Sequence, residues 1–447
     1  MRRLGLAPGP AAPATLDLAA LPQPVALRVL ALLPADTRLR CAEVCRAWRA
    51  LVAERSLWTH LDLSFTSGVS TRDSFALLGA AAPRAAGCLE VLRVPFSDNN
   101  KSPGQLVTQL VPVLTANAAT LRELELDAAT HLLEPDEIAA LLAAAPGLRL
   151  LHTSMLFCVG PNAVPALRKE APFGPLRLER VHFCRTYEVH DPPPLDWPAV
   201  ADGLAVQTAL HTVRFDNMCP EAQAAGVAVA AALASLPLLR AVTFERCNPH
   251  ASAVARLLSS TALLHLNVDR NETLEHWAIS GCDDLCAALR ANRHLKTLCL
   301  TDMGFWLVAM DTAAAILRAL EEHVALDELV ISSYTLPPEH AAAAGAALGS
   351  LIANSRSLTR LVLLECDYGD AGAGPILDAL PHAKSLSCLF WPDTTMSYEF
   401  ERQRLLPAVR ACAPLRSMVL RSMVRGDGSA AVSAMQDMFM QRYAQDK

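Results

Sequence analysis

A six-residue pattern of apolar positions, L-x-x-L-x-L, recurs along most of the chain. In one clear copy, Leu121 to Leu126, apolar residues at the first, fourth and sixth positions are separated by polar or charged ones. The third to sixth positions alternate between polar and apolar residues, and this period of two predicts a β-strand with one buried face. An alanine- and leucine-rich stretch with helical spacing follows many copies, for example residues 316–320. The pattern therefore predicts alternating strands and helices.

The copies return at a nearly regular interval, in the twenties to low thirties along the chain. After a first copy at Trp58 to Leu63, successive copies start at Leu89, Leu121, Leu148, Leu178, Leu210, Leu239, Leu263, Leu295, Leu326, Leu358, Leu386 and Leu415. Such a period is typical of a solenoid, in which each repeat buries its apolar face against its neighbours. We therefore expect an α/β solenoid, a leucine-rich-repeat horseshoe with a parallel sheet inside and helices outside. About 12–13 repeats would occupy residues 58–447, with a capping helix at residues 429–443.

The chain before the first repeat has a different character. Within residues 16–57, apolar residues at helical spacing predict three short helices, the first of which contains Val25 and Leu32 and ends at Pro34. Three short helices make a small core, and such a module usually depends on a partner. Residues 1–15 are rich in proline and alanine, so we expect a disordered N-terminus.

The segment at residues 16–57 resembles an F-box. The resemblance rests on Leu21, Pro22, Val25, Leu32, Leu33, Pro34, Leu39, the run Val44-Cys45-Arg46-x-Trp48-Arg49-x-Leu51, and Leu57-Trp58. It covers the whole domain of that family, and Val-Cys-Arg-x-Trp-Arg is its most specific part. Pro24 stands where many members carry glutamate. A direct passage from Leu57-Trp58 into the repeats is similar to the junction in F-box proteins with leucine-rich repeats.

The resemblance implies a function. An F-box would bind the Skp adaptor of a cullin-RING ubiquitin ligase, and the repeats would bind an unknown substrate protein, so the chain would be a non-catalytic substrate receptor. The adaptor contacts implied by the family are Leu21, Pro22, Val25, Leu32, Leu39, Val44, Cys45 and Trp48. Three alternatives stay open: a helical cap that only shields the first repeat, a repeat scaffold without a ubiquitin role, and, by fold analogy alone, a GTPase-activating repeat protein.

The outward positions of the strands and the loops that follow them supply candidates for substrate binding. Arginine binds carboxylates and phosphates through two parallel hydrogen bonds, and tryptophan is a preferred interface anchor. The candidates are Arg180, Arg185, Arg214, Arg246, Arg270, Trp277 and Trp306. Asp216, Glu245 and Asp269 occur beside these arginines, so mutual pairing on a solvated sheet is the alternative.

Composition narrows the class of protein further. A net charge of −6 argues against a general nucleic-acid binder, which needs a basic surface to neutralise phosphates. The 13 cysteines are odd in number and scattered, which favours reduced thiols in a cytoplasmic or nuclear protein.

The basic start at Met1 to Arg3 is interrupted by prolines and predicts no secretory signal. The uncharged run Ala222 to Leu239 contains Pro237 and keeps the repeat register, so we expect a repeat helix and no membrane span.

The sequence shows no catalytic constellation. Metalloprotease, nucleophile-elbow and Walker motifs are absent. Gly369, Gly372 and Gly374 follow a strand, but Leu377 occupies the last position of a phosphate loop, so they are interpreted as turn glycines. The pairs Cys41/Cys45 and Cys282/Cys286 have helical spacing without further ligands nearby. We therefore expect no metal, no cofactor and no enzymatic activity.

Overall fold

The computed structural model describes most of the repeat region and the N-terminal helices. The described residues are 21–63, 71–96, 103–128, 135–153, 178–184, 197–216, 223–269, 282–301, 310–332, 338–391 and 396–420. Several predictions concern residues outside these ranges: the disordered N-terminus at 1–15, the capping helix at 429–443, and Arg185, Arg270, Trp277 and Trp306.

The described strands form one open sheet in which every neighbouring pair is parallel. Thirteen strands follow one another in chain order, from β1 to β13. Their bounds are His60–Asp62, Val91–Phe96, Glu123–Ala128, Leu150–Thr153, Arg180–Cys184, Thr212–Asp216, Ala241–Glu245, His265–Asp269, Thr297–Thr301, Glu328–Ser332, Arg360–Leu364, Cys388–Trp391 and Ser417–Leu420. One strand coincides with each copy of the apolar pattern, so the predicted strands and their parallel arrangement are confirmed.

Helices connect the strands wherever the connecting residues are described, which leaves out residues 154–177 between β4 and β5, and on each side of that gap successive helices pack on one another. Helices α1 to α15 span Gln23–Ala31, Ala35–Val44, Arg46–Val52, Thr71–Ala85, Pro103–Ala116, Pro135–Ala144, Trp197–Ala205, Gln223–Ala234, Ala251–Leu257, Cys282–Ala291, Met310–Glu321, Pro338–Asn354, Gly369–Ala379, Tyr398–Phe400 and Leu406–Ala411. Short 3₁₀ helices lie at Arg55–Trp58 and Leu380–His382, and a π-helical segment at Glu401–Leu405 joins α14 to α15. No helix in this part of the chain combines the length and apolar character needed to cross a bilayer.

The core consists of side chains that stack in register from strand to strand. On the inward face, Leu298 of β9 pairs with Leu329 of β10, then Leu361 of β11 and Leu389 of β12, and all four are buried. Phenylalanines replace leucines in β5 to β7, where adjacent rings stack with centroids 5.1 and 5.4 Å apart. Burying one such side chain contributes about 1.5–3 kcal/mol, so a stack that repeats on every strand contributes substantially to stability.

Buried polar side chains lie between the helices and the following strands, a feature that the apolar pattern does not predict. Asn292 Oδ1 accepts hydrogen bonds from the backbone N–H groups of His294 and Leu295, at 2.9 and 2.8 Å. In the next repeat, His323 Nδ1 accepts from the N–H groups of Ala325 and Leu326, at 3.2 and 3.0 Å. Ser355 accepts from the N–H of Leu358 at the same place in its repeat, whereas Asn117 Oδ1 accepts from the N–H of Leu89 in the preceding repeat. These acceptors satisfy buried N–H groups that have no helical or sheet partner.

His323 is the member of this group that has a titratable side chain. Burial, with the positive charges of Arg293 and Lys296, lowers its pKa from 6.5 to about 4. Its Nδ1 must stay unprotonated to accept the two backbone hydrogen bonds, and its buried Nε2 has no hydrogen-bond partner among the described residues. The folded state therefore disfavours the imidazolium form.

Replacing His323 with asparagine should remove a pH dependence of stability. Between pH 6.5 and 4 the unfolded chain takes up a proton that folded His323 does not, so stability falls with pH, by about 2 kcal/mol at pH 5. Asparagine already fills the matching position, Asn292, and keeps an acceptor there. Urea unfolding at pH 7 and pH 5 should show a smaller loss for H323N than for the parent chain. H382N, at an exposed site, is the control; equal losses in all three proteins would contradict the assignment.

Two helices near the C-terminal end approach so closely that glycine is required. A Cβ atom on Gly345 of α12 would overlap the backbone carbonyl oxygen of Gly372 in α13, and one on Gly349 would lie 2.6 Å from the carbonyl oxygen of Pro375. Backbone atoms cannot move aside as a flexible side chain would. The glycines therefore allow the two helices to pack without an intervening side-chain layer.

Alanine at Gly345 should destabilise the chain, although alanine is the better helix former. The overlap costs about 1–3 kcal/mol, more than the gain of about 1 kcal/mol in helix propensity. Gly79 of α4 is the matched control, because no atom lies within 4 Å of its added Cβ. Thermal unfolding should show G345A below and G79A at or above the parent. An unchanged midpoint for G345A would mean that the close approach is not a feature of the protein in solution.

Candidate functional site

The three N-terminal helices have a small core of short side chains. Ala26 and Leu30 of α1 are buried, as are Ala35 and Ala42 of α2 and Val52 of α3. Alanine at several of these sites lets the helices approach closely. The longer apolar side chains of the same helices are left toward the surface.

Exposed apolar residues are concentrated in these helices. Val25, Leu32 and Val44 are 44%, 85% and 66% exposed. Six large apolar side chains are exposed in the whole described part of the chain, and these three belong to α1, its C-terminal cap and α2. Val25 and Leu32 are two helical turns apart, so they lie on one side of α1. A single exposed leucine is ordinary, but this local concentration makes the helices a candidate contact surface.

The other residues predicted to contact an adaptor divide into two groups. Pro22 and Cys45 are exposed, whereas Leu21, Leu39 and Trp48 are half-buried. Leu39 and Trp48 pack against the core, so part of the surface of each side chain is already buried within the protein. The adaptor role of all eight residues stays a prediction.

Cys45 lies outside the helix that contains Cys41, which corrects the expectation of a shared helix face. Its backbone is extended, with φ −157° and ψ 173°, because α2 ends at Val44 and α3 begins at Arg46. The Cys45 Sγ accepts a hydrogen bond from the backbone N–H of Trp48 at 3.5 Å. The thiol therefore caps the N-terminus of α3, a role that serine and threonine more often fill.

A buried arginine and a buried tryptophan join the N-terminal helices to the first strand. Arg38 of α2 is 6% exposed and donates hydrogen bonds to the carbonyl oxygens of Leu57 and His60. Its guanidinium lies 5.1 Å from the ring centre of Trp58, and the guanidinium of Arg84 in α4 lies 6.0 Å from the same centre. Burial lowers the pKa of Arg38. Arg38 was not among the residues singled out from the sequence.

Trp58 belongs structurally to both parts of the chain. It ends the 3₁₀ helix Arg55–Trp58 and is fully buried, and its indole N–H donates to the carbonyl oxygen of Val52 at 2.8 Å. The sequence boundary between residues 57 and 58 therefore falls inside one packed unit. A hinge between the helices and the sheet would break these contacts.

Comparison with known proteins identifies the N-terminal unit. Residues 18–64 match the family model described as F-box-like. A search of curated protein sequences finds no match. The chain therefore carries an F-box-like domain at its N-terminal side, as the run Val44 to Arg49 predicts.

The outward face of the sheet begins with alternating charges. Arg93 of β2 lies 3.3 Å from Asp62 of β1 and 3.1 Å from Glu125 of β3. Further along, Arg360 of β11 lies 3.1 Å from Glu328 of β10. Ion pairs between adjacent strands are thus a general feature of this face, and each contributes little because it is solvated.

Two of the three candidate substrate-binding arginines in the described residues form such pairs. Arg214 pairs with Glu245 of β7, and Arg246 lies 2.6 Å from Asp216 of β6. Arg246 has a left-handed backbone, with φ 51°, immediately after β7. This is the mutual pairing considered as the alternative to substrate binding. Arg180 is exposed at the start of β5. A substrate role for these arginines stays a prediction.

Two cysteines, Cys299 of the sheet and Cys286 of α10, are held in the thiol form by their surroundings. Burial, with the carboxylates of Glu328 and Asp269, raises the pKa of Cys299 to about 11. Burial and the neighbouring Cys282 thiol, whose Sγ lies 3.8 Å away, raise the pKa of Cys286 to about 12. A thiol must ionise to attack a substrate or bind a metal, so these thiols are suited to packing. No group of three or more metal-ligating side chains lies together in the described ranges.

Replacing Trp58 with phenylalanine should weaken the junction between the helices and the sheet. The change leaves the Val52 carbonyl without its buried donor and weakens the contact with Arg38, at a cost of about 1–3 kcal/mol. W48F, at a half-buried position, is the control and should cost less. Urea unfolding measures both. A W58F protein as stable as W48F would show that the junction contributes little.

Proposed function

We propose that this chain is the substrate-recognition subunit of a Skp–cullin–F-box type ubiquitin ligase. Its F-box-like domain would bind the Skp adaptor, and the remaining repeats would bind the substrate protein. The observation that carries the proposal is the exposure of Val25, Leu32 and Val44 within the segment that matches the F-box-like family. F-box domains typically bind Skp adaptors, and the same apolar side chains would be covered in such a complex.

The repeat region is proposed to be a leucine-rich-repeat horseshoe. Three observations support this: strands in chain order, inward leucines in register, and helices that connect consecutive strands. Cys247 and Cys366 add support, because each is buried eight residues after the first leucine of its repeat, where this class often has cysteine or asparagine. The Cys247 thiol donates to the carbonyl oxygen of Glu245 in its own repeat at 3.1 Å, and the Cys366 thiol donates to that of Ile331 in the preceding repeat at 3.8 Å.

In this proposal the protein accelerates ubiquitin transfer without performing chemistry. Holding a substrate lysine near the charged ubiquitin-carrying enzyme converts a bimolecular encounter into an intramolecular one. The buried contacts of Arg38 and Trp58 would fix the angle between the adaptor-binding helices and the substrate-binding sheet. The partners are thus the Skp adaptor, through it the cullin-RING ligase, and a protein substrate, in the cytoplasm or the nucleus.

A single charged residue in the exposed apolar set should weaken adaptor binding. Glutamate at Val25 or Leu32 would have to be desolvated in the complex, and we expect at least a tenfold weaker affinity. L238E is the matched control, because Leu238 is 41% exposed, close to the 44% of Val25, but lies beside β7. Binding of the purified full chain to purified Skp adaptor is measured by isothermal titration calorimetry.

The outcomes separate the proposal from its alternatives. If the unmodified chain does not bind the adaptor, the ligase function fails and a scaffold without a ubiquitin role takes its place. If L238E weakens binding as much as V25E does, the exposed residues of the F-box-like domain are not the contact surface.

A further inference from the structure

One register position on the outward face can be followed across all thirteen strands. The residues at this position change from polar to apolar at β9. On β1 to β8 it is occupied by polar residues: Asp62, Arg93, Glu125, His152, His182, Arg214, Thr243 and Asn267. On β9 to β13 it is occupied by Cys299, Val330, Val362, Phe390 and Val419, which we name the apolar row. The leucine pattern does not require this change, since these side chains face away from the core.

The apolar row is accessible along most of its length. Val419 is 45% exposed, and Cys299, Val330 and Phe390 are partly exposed, whereas Val362 is buried between its neighbours. The flanking positions on the same strands, for example Leu329 and Ile331 beside Val330, are fully buried in the core. The row is therefore an apolar line across five strands at a register position that is polar on β1 to β8.

The edge where these five strands begin is basic. In the segments 292–297, 323–328, 355–360, 383–388 and 412–417, which lead into β9 to β13, there are six basic residues and two acidic ones, an excess of four positive charges. The basic residues are Arg293, Lys296, Arg356, Arg360, Lys384 and Arg416, and all six are exposed. The whole chain carries a net charge of −6, so this edge differs in sign from the rest of the molecule.

The spacing of the row fits the side chains of a helix. Adjacent strands are about 4.8 Å apart, so the row repeats at that distance across five strands and spans about 19 Å. The apolar positions of an amphipathic helix recur every 3 or 4 residues, about 5.2 Å along its axis. An extended strand presents side chains on one face at a wider interval of about 6.6 Å. A helix of about four turns, lying across the strands, therefore matches the row better than an extended peptide does.

We propose that the face of β9 to β13 binds one amphipathic helix of the substrate protein. The helix places its apolar stripe on the apolar row and acidic side chains along the flank nearest the basic edge. This inference rests on the proposed function for the identity of its partner as a ligase substrate. The surface itself is defined independently of the adaptor, because it lies at the opposite end of the strand order from the F-box-like domain.

Designed peptides test the surface directly. A fluorescein-labelled helical peptide of about five turns, with leucine at every third or fourth position and glutamate along one flank, is titrated with the full chain. A second peptide has lysine in place of each glutamate, and a third has the sequence of the first scrambled. Fluorescence anisotropy should show that the glutamate peptide binds tightest and that salt weakens it. Equal binding of all three peptides, or no binding of the glutamate peptide, overturns the proposal.

Variants locate the contact. V330E and V419E should each weaken binding of the glutamate peptide at least about tenfold, and V419E tests the row even if V330E is poorly folded, because Val419 is largely exposed. T243E is the matched control, because Thr243 occupies the same register position on β7 and should have no effect. The double variant K296E/K384E should reverse the preference in favour of the lysine peptide. If T243E weakens peptide binding as much as V330E and V419E do, the peptide does not bind at the apolar row.

Adaptor binding distinguishes failure of this inference from failure of the proposed function. V330E and V419E should bind the Skp adaptor with unchanged affinity. A chain that binds the adaptor but no helical peptide refutes the inference alone. A chain that binds the glutamate peptide through the apolar row but not the adaptor refutes the ligase function and leaves the helix-binding surface in place.

Discussion

The in-register stacking of inward leucines between neighbouring strands is the interaction on which the rest of the structure depends. A strand with its following helix cannot bury its apolar face alone, so each repeat is stable only against the next. A shift of one residue in any strand would turn its leucines outward and its charges inward. The same constraint explains why the first strand needs another structural element packed against it, a cover that is not a repeat. The F-box-like helices provide it through Trp58 and Arg38, so this domain contributes to stability and also carries exposed apolar residues.

The second requirement of the repeat stack is that buried backbone N–H groups between helices and strands find hydrogen-bond acceptors. Each passage from helix to strand buries N–H groups that neither element can pair. Asn292 and His323 show that different side chains meet this need with the same geometry, an acceptor two or three residues before the donor. The outward positions are under no comparable constraint. Their chemistry can differ from strand to strand, as it does between Asn267 on β8 and Cys299 on β9, without altering the core.

The periodic features were predictable from the sequence because they repeat. The strands, their parallel order and the three N-terminal helices follow from spacing alone. The junction was not predictable, because Arg38 acts through a contact with Trp58, on a separate element, that only the packed helices create. The buried acceptors were missed because asparagine, histidine and serine share no residue-type signal; their fixed distance from the first leucine was the available clue. Cys45 was misplaced because the extended backbone between α2 and α3 interrupts the helical spacing.

The junction at Trp58 also has a mechanical consequence. Twelve intervals of about 4.8 Å separate β1 from β13, so the sheet extends about 58 Å from the F-box-like domain along its arc. For a lever of that length, a rotation of about 5° at its base displaces the far end by up to about 5 Å. A loose junction would turn small angular fluctuations into large movements of anything bound to β9 to β13. The two guanidinium groups and the indole hydrogen bond at Trp58 act at the point where stiffness has the greatest effect on position.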